Sequence, residues 1–158
     1  MKIINFVIIV IAAFGAATLW ARSRVAPTYH VSIDQIPRVL EELRMSSANP
    51  AFAVFMFNTP DRPDAKDALN LQFSIENGRP GFDWVLLAPR NIEDKEQYLE
   101  FAHADGFYPK AMAGNGVKYL RVENGDLSRL CTDVITRMYH RPVIEKLDLI
   151  VEGFEWVL

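Results

Sequence analysis

The chain has 158 residues, of which 17 are basic and 20 acidic, and half are hydrophobic. Three of the basic residues (Lys2, Arg22, Arg24) lie in the first 24, which hold no acid, so the remainder carries 14 against 20, a net of −6. That balance excludes non-specific binding of a nucleic-acid backbone, and a remainder of about 130 residues makes one ordinary core rather than two.

Residues 3–20 form an uncharged, mostly apolar run between Lys2 and the pair Arg22 and Arg24. About 18 such residues is the lower limit for a helix that spans a bilayer core. Trp20 beside the arginines has the composition of a membrane–water boundary. The expectation is an N-terminal anchor over residues 1–24, single-pass, followed by one domain over residues 25–158. A cleaved signal peptide is the competing expectation, since Lys2 is a positive start and Gly15-Ala16-Ala17 offers small residues for cleavage. The side of the membrane on which the domain lies is left open. A single cysteine, Cys131, rules out an intrachain disulfide and is compatible with either compartment.

After the linker 26–28, residues 29–33 read as a short extended piece. Asp34 is the expected N-cap of the first helix, preferred over a capping box of Ser32 with Gln35, which would drive Pro37 deeper into the helix. Ile36, Val39, Leu40 and Leu43 give that helix its apolar stripe. Residues 51–57 are unbroken hydrophobe, the pattern of a strand covered on both faces. A proline-spaced polar loop follows, and then residues 69–76 alternate, with Asn70, Gln72 and Ser74 expected in water or against a partner. Asn77-Gly78 signals a turn, lengthened by Arg79-Pro80-Gly81 before a return strand over residues 82–88.

Asn91 is the expected cap of the next helix, with Ile92, Tyr98, Leu99 and Ala102 inward and a stop at Gly106. Residues 107–115 read as irregular and residues 117–122 as a strand. Asp126 caps a helix with Leu127, Leu130, Cys131, Val134, Ile135 and Met138 on its apolar side, which Pro142 ends. The tail reads as a terminal strand over residues 148–158 with a bulge at Gly153. The sum is an α+β domain, a small and mainly antiparallel sheet with helices packed on one face.

Chemistry is sparse. His103 and Asp105 stand together at a helix end and, with His140, are the weak candidates for acid–base work in a small hydrolase. Asp61, Asp64 and Asp67 are spaced as loop ligands for a hard cation but lack the glycine and terminal glutamate of a calcium loop, so no metal or other cofactor is expected. Cys131 on a helical stripe reads as buried and inert. Glu76 and Asp83 flank the hairpin turn as a possible carboxylate pair. Two aromatic–acid–aromatic triplets, Phe82-Asp83-Trp84 and Phe154-Glu155-Trp156, with Arg90 at the adjoining rim, are the expected binding surface for a protein partner. The sequence therefore points to a membrane-tethered protein-binding or accessory module, against two alternatives, the small hydrolase and a small-ligand sensor.

Overall fold

A computed structural model describes residues 28–157, and the expectation for residues 3–20 lies outside them. Among the described residues seven strands form one antiparallel sheet: β1 (Thr28–Ser32), β2 (Phe52–Phe57), β3 (Leu69–Glu76), β4 (Arg79–Val85), β5 (Lys110–Gly114), β6 (Val117–Val122) and β7 (Lys146–Glu152). Their order across the sheet is β1-β7-β2-β3-β4-β6-β5. The helices are α1 (Ile36–Met45), a short α2 (Pro89–Glu93), α3 (Lys95–Ala104) and α4 (Leu127–Asp133), the last running on into a π turn at Val134–Met138. The fold is α+β. Among the described residues no helix is long and apolar enough to cross a membrane.

The two sides of the sheet differ. One side packs Ala53, Phe55, Leu71, Phe73, Phe82, Trp84 and Leu149 against Ile36, Val39, Leu40 and Leu43 of α1, Tyr98 and Ala102 of α3, and Leu127, Leu130 and Cys131 of α4. The other side holds a smaller apolar cluster of Phe52, Val54, Met56 and Ile150, which contains no helical residue. β2 is buried along its whole length, as its unbroken hydrophobicity predicts. The polar alternation of β3 does not put its second set in water: Asn70, Gln72 and Ser74 are buried on the cluster's side.

Several local expectations are corrected. Ser32, not Asp34, starts the first helical segment, its N–H donating to Gln35 Oε1 at 2.9 Å. A turn of 3-10 helix over Ile33–Gln35 then leaves Pro37 in the first turn of α1, where no donor is needed. The β3–β4 hairpin turns on Asn77 and Gly78 alone, at φ 52° and 75°. Two successive left-handed residues are what a tight type I′ turn requires. Arg79, Pro80 and Gly81 therefore belong to β4, and Pro80 precedes Phe82–Val85, the stretch that pairs with β6.

The stretch read as irregular contains β5, joined to β6 through Asn115 and Gly116, again both left-handed. Asp126 does cap α4, accepting the Arg129 N–H at 3.0 Å. The last strand ends at Glu152, before Gly153, and lies inside the sheet between β1 and β2. The first and last strands of the described residues thus pair with each other.

Candidate binding face of the sheet

Register places one residue from each strand in a row across the side to which no described helix contributes: Thr28, Ile150, Val54, Gln72, Asp83, Arg121 and Lys110. The row is apolar on β7 and β2, an amide on β3 and an ion pair on β4 and β6. Its neighbours repeat the division, with Phe52 and Met56 at one end and Ser74, Glu76, Tyr119 and Glu123 at the other.

Arg121 organises the polar half. Its Nη1 donates to Asp83 Oδ1 at 2.7 Å, to Asp83 Oδ2 at 3.0 Å and to Ser74 Oγ at 2.8 Å. Nε donates to Glu123 at 2.8 Å, and Nη2 to the Arg79 carbonyl at 3.0 Å. Glu76 lies 3.6 Å from Nη1 and accepts the Tyr119 hydroxyl at 3.0 Å. The guanidinium passes over Gly81, where a Cβ would stand 2.2 Å from Arg121 Cζ. Glycine at that position is the condition for the arginine to lie flat.

The electrostatics follow from burial. Burial pushes the Asp83 carboxyl up to about 6, against the opposing pull of Arg121 and its hydrogen bonds. Arg121 is held protonated: burial works against its charge, but the Asp83 carboxylate and the bond to Glu123 outweigh that. Burial and the bond to Glu76 raise the Tyr119 phenol to about 12. Every donor nitrogen of Arg121 is engaged, so the arginine fixes this half of the face rather than offering a free cation. Beside it, both side-chain polar atoms of Gln72 and Oδ1 of Asn70 are buried without a hydrogen-bond partner among the described residues. An unpartnered buried amide costs free energy that a further hydrogen-bonding group would recover.

The residues singled out in the sequence fall elsewhere in part. Phe82 and Trp84 are fully buried on the helix side, Trp84 stacked on Tyr98 with ring centroids 4.4 Å apart and its Nε1 donating to the Asn91 carbonyl at 2.8 Å. They build core, not surface, because the odd and even positions of β4 face opposite sides. Asp83 alone of that triplet belongs to the face opposite the described helices. Trp156 is also buried in the core, under the Arg38 guanidinium at 4.8 Å from the ring centroid, while Phe154 is half-buried and Glu155 exposed. That triplet lies beyond the last strand, so its aromatics share no strand face.

Arg90 is mostly buried and committed within the chain: Nε donates to Asp94, which also accepts the Tyr139 hydroxyl at 2.7 Å. Asn91, expected as a cap, sits inside α2 and pairs with both backbone groups of Asn70, at 3.0 and 2.8 Å, extending the ladder past the end of β4. Asp94 is the residue that separates α2 from α3.

The acid–base candidates are not assembled by any contact. His103 is exposed and lies beside the Tyr108 ring. Asp105 is taken by Arg137, at 3.0 Å from Nη2, and by Arg129 at 3.8 Å. His140 is exposed, in the left-handed region at φ 55°. Asp61 faces Arg90 at 3.9 Å, Asp64 faces Lys66 at 3.9 Å, and the Asp67 N–H bonds back to the Asp64 carbonyl at 2.9 Å. Among the described residues no group of three or more His, Cys, Asp or Glu is arranged to hold a metal ion. Burial pushes the Cys131 thiol up, away from thiolate chemistry.

Glu76 and Asp83, by contrast, do converge, both on Arg121. Arg121, Ser74, Tyr119 and Gln72 carried no motif in the sequence. Only the register joins them. No family model, curated protein or solved structure matches the chain.

Proposed function

We propose that the protein is a membrane-tethered protein-binding module, held at a bilayer by residues 3–20 and meeting its partner with the face of the sheet opposite the described helices. The tether rests on composition: 18 uncharged residues closed by Trp20, Arg22 and Arg24. The observation that carries the binding role is a sheet side with an apolar cluster and an ion-pair network in register, to which no described helix contributes. Apolar area supplies affinity to such a surface, and fixed charges at its edge supply register and discrimination.

The test uses the full chain in cells. Alkaline extraction of membranes should leave it in the pellet, and Ile9→Asp, which places a charge mid-run, should move it to the supernatant. Photo-cross-linking from position 110, at the polar end of the row, should capture a protein in the membrane-bound form. Extraction of the unaltered chain into the supernatant would end the tether. Cross-links to lipid and water alone from position 110 would end the binding role.

A further inference from the structure

We propose that residues 3–20, the segment assigned above to the bilayer, have a second seat on this chain's own sheet, over Phe52, Val54, Met56 and Ile150, and that the two seats exclude one another. The inference rests on the tethered-module reading and adds regulation to it: the binding face is covered until the segment enters lipid.

The face requires a cover. Phe52, Val54, Met56 and Ile150 are 3%, 2%, 7% and 3% exposed, and no described helix shares their cluster. β2 lies between β3 and β7 and is apolar on both sides, a pattern that needs a layer on each. The described helices supply one layer. The largest apolar stretch left in the chain is residues 3–20.

Dimensions and connection fit that occupant. A helix of 18 residues is about 27 Å long and 10–12 Å across, so along β2 it covers about three strands at 4.8 Å spacing. The cluster with its flanking amides occupies three strands, β7, β2 and β3. The chain re-enters at Thr28, which is paired with Ile150 and lies two strands from the cluster's centre on β2. The seven residues 21–27 reach up to about 24 Å, more than the two strand spacings required.

An independent observation is Gln72, beside Val54 in the row: it is 1% exposed, and neither its Oε1 nor its Nε2 has a partner among the described residues. The segment is not wholly apolar. It carries Asn5 and Thr18, side chains able to complete a buried amide. One apolar surface cannot face lipid and the sheet together, so insertion vacates the face.

The test is photo-cross-linking in the full-length chain with benzoylphenylalanine at position 56, using mixed heavy- and light-isotope copies and mass-spectrometric assignment. In dilute buffer without lipid, cross-links should join position 56 to residues 3–20 within one copy. Vesicles of phosphatidylcholine and phosphatidylglycerol should lower that yield about tenfold, the shift expected when one seat outcompetes the other. Benzoylphenylalanine at position 108, on the exposed Tyr108, should give no such cross-link. Joins between heavy and light copies, joins to other segments, or a yield unchanged by vesicles would each overturn the proposal. Flotation with the same vesicles is read separately: a floating chain without the cross-link refutes the seat and keeps the tether, and a cross-linked chain that does not float refutes the tether.

Discussion

The two sides of one sheet are built from alternate residues of the same strands, yet they are held by different physics. On the helix side the row across the sheet is Tyr29, Leu149, Phe55, Leu71, Trp84, Leu120 and Ala111, and its contacts are apolar and aromatic. One residue along each strand, the row becomes Ile150, Val54, Gln72, Asp83 and Arg121, whose polar half is a set of charges that must satisfy one another. The helix side gains free energy from area removed from water. The other side is specified by complementarity, and a change there acts through the group left behind.

Substitutions that truncate the first kind of contact should cost most. Trp84→Ala removes the ring stacked on Tyr98 and the indole bond to Asn91, with an expected loss of about 4 kcal/mol in urea unfolding. A loss near that for exposed Tyr108→Ala would show that Trp84 is not core.

The second kind of contact should fail differently. Arg121→Met leaves the buried Asp83 without its counter-ion, so that it must take up a proton or stay unpaired, an expected cost of about 3 kcal/mol at neutral pH. Asp83→Leu with Arg121→Met removes both charges and should cost less than either single change. A double-mutant cycle in urea reads this directly. Additive costs would mean that the pair does not act as a unit.

How much of this was legible follows the same division. The helix side reads well: the stripe of α1, the unbroken β2 and the inward residues of α4 are periodic patterns, and apolar burial is a property each residue carries locally. The ion pair does not. Asp83 and Arg121 are 38 residues apart, and nothing in either neighbourhood announces the other. Asn70, Gln72 and Ser74 read as solvent-facing because alternation says which residues share a side, not what covers it. β5 escaped because Lys-Ala-Met-Ala-Gly has no β-branched residue and no alternation; pairing with β6 makes it a strand. Asn91 reads as a cap until β3 is seen to begin beside it, with the Asn70 backbone just past the β4 ladder and bonded to the Asn91 side chain instead.

The pH dependence sharpens the comparison, since among the described residues the fully buried carboxylate, Asp83, lies on the polar side. Asp83 has a folded-state value of about 6 against an ordinary 3.8, raised by burial. The native state therefore holds this proton more tightly than the unfolded chain, and stability from this group falls as pH rises through the window between those values. The contribution is present in full below 3.8 and lost above about 6, and amounts to less than about 3 kcal/mol. Urea unfolding of the wild type relative to Asp83→Asn, at pH 5 and pH 7, isolates it from the other carboxylates. The wild type should gain on the variant at pH 5, and parallel profiles would refute the shift.

Gly81→Ala is the smallest of these changes and distinguishes the two sides most finely. Gly81 has an ordinary strand conformation, so the substitution introduces no backbone strain and gains slightly in chain entropy. Its only obstacle is Arg121, since the new methyl would stand 2.2 Å from Cζ and 2.5 Å from Nη2. The guanidinium must lift, and the bonds that Nη1 and Nη2 make to Ser74, Asp83 and Arg79 lengthen together. The expected cost is about 1–2 kcal/mol. In the Arg121→Met background, which has no guanidinium over the glycine, the same change should cost under about 0.5 kcal/mol. A penalty that persists there would place the constraint in the strand rather than in the arginine.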